Sequence, residues 1–323
     1  MTFYHSKFNW MRKFRYFPTL MLIALLLPVS SCQTVEKTAK SLERTGRKVV
    51  RPFTMADRDL KRMVGLFDFQ NKSLRESRDF QKVFRKGLPE YMARECDDII
   101  ISTADSDSGF GLLGKPPRMD SGQVDNFALA VVGRRLGLNA IVVGVLENIR
   151  ILDELRGILW AKDTTHLVQV FIRVQVFDSA TATKILDQTF DRRIEIDELE
   201  YDLINNSRAI KLPELSETLH KLLVDIGDNI CWAVESLPWI GFLTHIDGEQ
   251  FIISSGSTVG LQVGDVLAVY DSSKIINGVG GQRFFLPGLK TGEIKIVTIS
   301  ENSAQAERVS GENIQAGSTV RRK

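Results

Sequence analysis

The chain has 323 residues, 43% hydrophobic and 25% charged, a globular composition that excludes a disordered or low-complexity protein. That length fits about two domains of roughly 100–200 residues each. Its formal charge of +2 includes Lys7, Arg12, Lys13 and Arg15; without that amino-terminal segment it becomes −2, so the basicity gives no argument for a nucleic-acid partner.

Residues 1–31 open with those four cations and no acidic residue, followed by an apolar run of eight at 20–27. Eight residues are too few to span a bilayer, so the segment reads as an export leader. Pro28-Val29-Ser30-Ser31-Cys32 then places small residues before a cysteine, which resembles the lipobox of bacterial lipoproteins. The resemblance implies that Cys32 is acylated and that residues 1–31 are removed; an ordinary leader that contains a cysteine is the alternative. Gln33, where Asp would signal the inner membrane, implies outer-membrane retention facing the periplasm. Two or three acyl chains on one cysteine anchor stably, whereas a single chain binds marginally. Residues 32–59 are rich in charge and poor in large apolar side chains, as expected of a tether.

Residues 60–236 read as an α/β domain. A buried-strand run at 63–69 is followed by Ser73-Leu74-Arg75-Glu76, a capping-box spacing that opens a helix carrying Phe80, Val83, Phe84, Leu88, Tyr91 and Met92. A second strand lies at 99–101, and a polar Gly/Pro-rich loop occupies 103–122. Ser121 is expected to cap the next helix and Gly137 to end it. The uninterrupted apolar run at 140–146 fits a strand covered on both faces. Strands at 166–178 and 185–190 flank a turn at 179–183, and a helix over 213–234 carries the stripe Leu215, Leu219, Leu222, Leu223, Ile226, Ile230 and Ala233.

Pro238 changes the period from helical to alternating. Asp247-Gly248 between two alternating runs is a strong hairpin signal, and Gly256, Gly260 and Gly264-Asp265 mark a second tight return. Residues 237–323 therefore read as five or six short strands, a small barrel or sandwich. The expected class is α+β: a mixed sheet with packed helices, then a small all-β barrel.

Candidate chemistry is sparse. Gly109-Phe110-Gly111-Leu112-Leu113-Gly114 matches G-x-G-x-x-G, but Lys115-Pro116-Pro117 forbids the helix that a dinucleotide site requires. Asp105-Ser106-Asp107 begins like a calcium loop, yet Phe110 and Pro116 stand where Gly and Glu are needed. His166, His220 and His245 are isolated, and the acidic run Glu195, Asp197, Glu198, Glu200 and Asp202 reads as a solvated edge. The expectation is a protein with no catalytic residue, cofactor or metal. Cys96 and Cys231 each fall in an apolar-flanked helix, which favours two buried thiols over a pair, although export would permit either. Residues 147–165 contain Ile149, Ile151, Leu155, Ile158, Leu159 and Trp160, interrupted by Asp153, Glu154 and Arg156, an imperfect candidate hairpin.

Two groups of residues carry a family resemblance. Leu66-Phe67-Asp68-Phe69, the stretch Leu136-Gly137-Leu138-Asn139-Ala140-Ile141-Val142-Val143-Gly144 and the turn from Val176-Phe177-Asp178 to Lys184-Ile185-Leu186 resemble the CsgG and TolB amino-terminal domain class. Pro238-Trp239-Ile240-Gly241, Ile253-Ser254-Ser255-Gly256 and Val259-Gly260-Leu261-Gln262-Val263-Gly264-Asp265 are similar to the carboxyl-terminal junction of FlgT-type flagellar proteins. These motifs specify fold more than function. The resemblance implies a role in assembling a cell-envelope complex, with envelope proteins and further copies of the chain as partners. Trp239, Gly264 and Asp265 in the joint are its candidate partner-binding residues. Two other classes stay open: a subunit of a CsgG-like export channel, and a ligand- or glycan-binding module that uses the 103–122 loop.

Overall fold

The computed structural model describes residues 60–73, 80, 82–105, 110–158, 160–206 and 213–323. Cys32, the leader, the tether and the start of the helix expected after Ser73 lie outside them.

In chain order the first elements are β1 (Arg62–Leu66), β2 (Gln70–Asn71), a π-helical turn (Val83–Gly87) running into α1 (Leu88–Glu95), β3 (Ile99–Thr103), α2 (Asn126–Leu136) and β4 (Ala140–Ile158). Then come β5 (Ala161–Asp178), β6 (Lys184–Ile196), α3 (Glu198–Asn206) and α4 (Pro213–Glu235). The strands form a mixed sheet in the order β3-β1-β4-β5-β6, with β2 also beside β4. β1 runs parallel to β3 and β4, while β4–β5 and β5–β6 are antiparallel.

Side-chain alternation divides this sheet into two unlike faces. Val64, Leu66, Ala140, Val142 and the even positions from Val168 to Val176 face α1 and α4, where they meet the whole expected stripe from Leu215 to Ile230. Met63, Ile141, Val143 and Phe177 point the other way, into a second core shared with α2 and the carboxyl-terminal strands. The apolar run of β4 is thus covered on both sides, as its sequence implies.

The remaining strands are β7 (Gly241–Asp247), β8 (Gln250–Ile253), β9 (Val266–Tyr270), β10 (Ile275–Asn277), β11 (Arg283–Phe285), β12 (Lys290–Ile299), β13 (Ala304–Gly311) and β14 (Thr319–Arg322). Six of them close a barrel in the order β12-β13-β8-β7-β14-β9, and β10–β11 stand apart as a two-stranded ribbon. The hairpin expected around Asp247-Gly248 is β7–β8, with Asp247 paired to Gln250 and the turn itself made by Gly248, at φ +59°, and Glu249. Phe251, Ile253, Leu267, Val269, Ile294 and Ile296 fill the barrel and join the core that reaches Ile141 and Leu129. The expected α+β class with a small β-barrel is the architecture observed.

Buried polar side chains register barrel on sheet. Asn139 accepts the Met63 amide at 3.0 Å and donates to Ile240 O at 2.8 Å. Asn126 donates to Ala182 O and Arg283 O, which ties α2 to the β5–β6 turn and to the ribbon. Arg134, in the last turn of α2, donates to Ser179 O, Ala180 O, Gly317 O and Ser272 Oγ. The Phe285 ring centroid lies 3.4 Å from its guanidinium carbon and the Phe242 centroid 5.6 Å away. Burial pushes the Arg134 pKa down to about 10, with Asp178 opposing, so it stays charged at neutral pH.

Local expectations need three corrections. The α2 cap is Asp125, whose Oδ1 accepts the amides of Phe127 and Ala128; Ser121 lies a turn too early and meets only the Gln123 amide at 3.4 Å. Cys96 and Cys231 are joined in a disulfide, with Cα atoms 5.7 Å apart, because α1 and α4 lie side by side on one face of the sheet. The acidic run after β6 is a helix: Asp197 Oδ1 accepts the Glu200 amide and Glu200 Oε2 accepts the Asp197 amide, a reciprocal capping box that starts α3.

Replacing both Cys96 and Cys231 with Ser opens a loop of 135 residues' separation and should cost about 2–5 kcal/mol of unfolding free energy in urea. A wild-type urea midpoint unchanged by reductant would contradict the disulfide. Gly137 ends α2 in the left-handed region at φ +72°, where an added Cβ would stand 1.8 Å from Ser254 O of the barrel. Gly137→Ala should therefore destabilise by at least about 1–3 kcal/mol, with the amides of the 254–260 turn losing hydrogen-exchange protection first.

Candidate functional site

The antiparallel ladder of β4 and β5 outruns the sheet. Register pairs Ala140 with Asp178 at one end and Ile158 with Ala161 at the other, but β6 stops where Ile196 meets His166. Five residues of each strand, Glu154 to Ile158 and Ala161 to Thr165, therefore continue as a free ribbon. The strands expected at 140–146 and 166–178 are the lower halves of one hairpin, and the charges of 153–156 lie within it.

Those charges hold the ribbon. On one face Arg156 pairs with Glu154 and Glu195, and Arg193 pairs with Glu154. On the other, Asp153 stands opposite His166, and its Oδ1 is 2.7 Å from Nδ1 of that ring. His166 stacks on Tyr201 of α3 with centroids 4.0 Å apart, and its Nε2 lies 3.5 Å from Glu198. The Asp153 hydrogen bond, aided by Glu198, raises the His166 pKa above its ordinary value.

Beyond this clamp the ribbon ends in apolar side chains. Leu155, Ile158 and Trp160 are 73%, 80% and 91% exposed. α3 buries Ile204 but leaves Leu199 and Leu203, one turn apart, 73% and 68% exposed. Leu155 follows Asp153 on the face that meets α3, while Ile158 alternates to the face of Glu154 and Arg156 at the end of the ribbon. Singly exposed apolar residues are ordinary, but a projecting tip and a neighbouring helix that both end in large apolar groups form an interaction surface. The imperfect hairpin expected at 147–165, which contains Ile158 and Trp160, is the upper half of this ladder despite its intervening charges.

The residues singled out in the joint have structural contacts. Trp239 is only 8% exposed and belongs to the sheet–barrel core, where it helps hold the two layers together. Gly264 takes φ +95° in a turn whose amide bonds Ile296 O, and Asp265 Oδ2 accepts the Gln262 amide in the same turn. Residues 110–113 form a 3₁₀ turn and not the helix of a dinucleotide site, and Asp105 is bound by Arg85. His220 is exposed and bonds Ser216 O. Among the described residues, no group of three or more His, Cys, Asp and Glu converges as a metal site would, and no helix is long and apolar enough to cross a membrane.

No family model matches the chain, and no curated protein does. Solved structures match part of the chain. Lipoprotein GNA1162 from Neisseria meningitidis is 12% identical over 52% of this chain and 99% of its own, with a TM-score of 0.30. The hypothetical protein CT253 from Chlamydia trachomatis is 10% identical over 54% and 98%, also at 0.30. The PelC dodecamer from Paraburkholderia phytofirmans is 14% identical over 56% and 91%, at 0.29. At such values the likenesses carry no argument about fold, activity or partners.

His166 predicts how α3 responds to pH. Its folded pKa lies above the ordinary 6.5, so its hold on α3 is complete below that value and fades as pH rises through the folded one. Amide exchange in α3, normalised to intrinsic rates, should show more protection at pH 5.5 than at pH 8.5, and Asp153→Asn should abolish the difference. Equal protection at both pH values in the wild type would refute the clamp.

Proposed function

We propose that this protein is a lipid-anchored, periplasm-facing component of the bacterial cell envelope that works by binding other envelope proteins, and not an enzyme. The observation that carries the reading is the free β4–β5 ribbon tipped by Leu155, Ile158 and Trp160 beside the exposed leucines of α3. Support also comes from the lipobox at Cys32, which would keep the domains at a membrane surface, and from the CsgG- and FlgT-like motif groups. Retention at the outer membrane and assembly into a ring of identical copies are parts of the same proposal.

The rigid mounting of the tip favours an assembly role. A flexible loop would pay the ordering entropy on binding, whereas a ribbon crossed by ion pairs presents its apolar end already ordered. The export-channel reading has less support. A bilayer-crossing strand needs about 9–11 residues with one apolar face. Here five residues of each strand project; Glu154 and Arg156 charge one face, and Asp153 and His166 charge the other at its base.

Cys32→Ala should move the protein from the membrane to the soluble fraction, and unchanged fractionation would sink the anchored reading. A photo-crosslinker at position 160, introduced in cells, should give an adduct of one defined larger mass. Serine at 155, 158 and 160 should abolish an equivalent adduct from a crosslinker at Leu203, with the melting temperature unchanged because all three side chains are exposed. Absence of any protein adduct at both positions would count against the interaction surface.

A further inference from the structure

The barrel covers only part of its face of the sheet, and a groove of about 560 Å³ lies alongside. Its floor is the β4–β5–β6 surface at Val145, Glu147, Arg173, Gln175 and Lys184. One wall is the turn before α2, from Arg118 to Val124, and the ribbon contributes Gln282. That ribbon wall is fixed: Arg283 stacks over Phe127 at 4.1 Å, and the Phe285 amide bonds Thr181 O.

The charges of this groove are unbalanced. Lys72, Arg118, Arg173 and Lys184 line it, against a single lining carboxylate, Glu147. Asp187 adds one more from outside the lining, accepting from Arg173, Lys184 and Gln175, and Arg173 above all holds its pKa well below the usual carboxylate range. Asp187 thus stays ionised and orients two of the cations. Lys72 forms no ion pair among the described residues. Among the described residues, Arg118 donates only to neutral acceptors, Gly122 O at 2.7 Å and Gln70 Oε1 at 2.7 Å, which aim its guanidinium without cancelling its charge. The amides of Gln123, Gln175 and Gln282 supply groups that both donate and accept, the chemistry hydroxyls need.

We propose that this groove binds an acidic saccharide, with Arg118 and Lys72 meeting its carboxylate or phosphate and the glutamine amides meeting its hydroxyls. The size suits a short oligosaccharide, within the roughly 300–1,000 Å³ of ligand pockets. An acidic peptide is the weaker occupant, because the lining is mainly polar and offers no apolar pocket for a side chain; the one aromatic there, Phe177, is buried in the core. The proposal goes beyond the envelope-assembly reading and does not depend on the hairpin tip.

The test is calorimetric titration of the full acylated chain in detergent, at about 0.15 M salt to screen non-specific attraction. Trigalacturonate should bind at least about tenfold more tightly than neutral maltotriose, triglutamate or inorganic phosphate. Lys72→Gln, which removes no described contact, should weaken trigalacturonate several-fold, and Lys72→Gln with Arg118→Gln at least about tenfold, a loss expected when charged hydrogen bonds go. Unaltered melting of the single variant keeps the comparison valid if the double variant is less stable. Equal binding of triglutamate would overturn the saccharide assignment in favour of a peptide, and equal binding of phosphate would reduce the site to a simple anion site. No binding of trigalacturonate, or binding indifferent to Lys72→Gln, would overturn the groove as its site.

Discussion

The guanidinium of Arg134 is the constraint on which the rest of the molecule depends. Burying a cation costs several kcal/mol unless its donors are met, and here carbonyls from the β5–β6 turn and from the turn before β14, with a hydroxyl after β9, meet them. These acceptors are 45 to 183 residues away in sequence, so the cost of burial is offset only when sheet, helix and barrel are all in place. Removing any acceptor would leave a buried charge short of a partner, which makes partial docking of the barrel unfavourable. Aromatic rings from two different parts of the barrel domain, Phe242 and Phe285, close over the group and extend its hold to the ribbon.

A barrel fixed in this way does what a second helix layer would do in an ordinary α/β fold. It covers the apolar positions of β1 and β4 but leaves the far parts of β5 and β6 open. The composition of β5 follows: its even positions are Val168, Val170, Ile172, Val174 and Val176, while its odd ones include Gln169, Arg173 and Gln175. Phe177, the odd position under the barrel, is apolar again. The boundary between covered and open sheet is where the groove forms, so the groove is a consequence of incomplete coverage.

What could be read from the chain and what could not separate by range. Gly137 ending α2, Asp247-Gly248 turning a hairpin and the stripe of α4 are local patterns, and each holds in the structure. The pairing of Cys96 with Cys231 depends on which helices become neighbours, which no spacing specifies. α3 was hidden because a nine-residue helix with Glu198, Glu200 and Asp202 looks like a solvated run until the reciprocal bonds of Asp197 and Glu200 are seen. The β4–β5 ribbon was legible only as an imperfect hairpin at 147–165: Glu154 and Arg156 interrupt its apolar pattern, but across strands they meet Arg193 and Glu195. The groove unites Lys72, Arg118, Arg173 and Gln282, residues from four separate segments, and only the folded chain brings them together.

One ladder carries both surfaces. The groove uses β4 near Val145 and Glu147, and the apolar tip begins at Leu155 on the same strand. Eight to thirteen residues at about 3.3 Å each put them roughly 25–45 Å apart along a strand that is hydrogen-bonded throughout. Over that distance direct electrostatic influence is screened, since the Debye length is about 8 Å at physiological salt. Any coupling between a ligand in the groove and a partner at the tip would therefore have to pass through the register or twist of β4–β5. That ladder has one irregularity between the two places, the register shift at Leu146/Asn148. A bulge is where a strand most readily changes its twist, and Glu147, the extra residue there, is itself a groove residue facing Arg173. The groove thus contains the bulge of the same ladder that continues into the projecting ribbon.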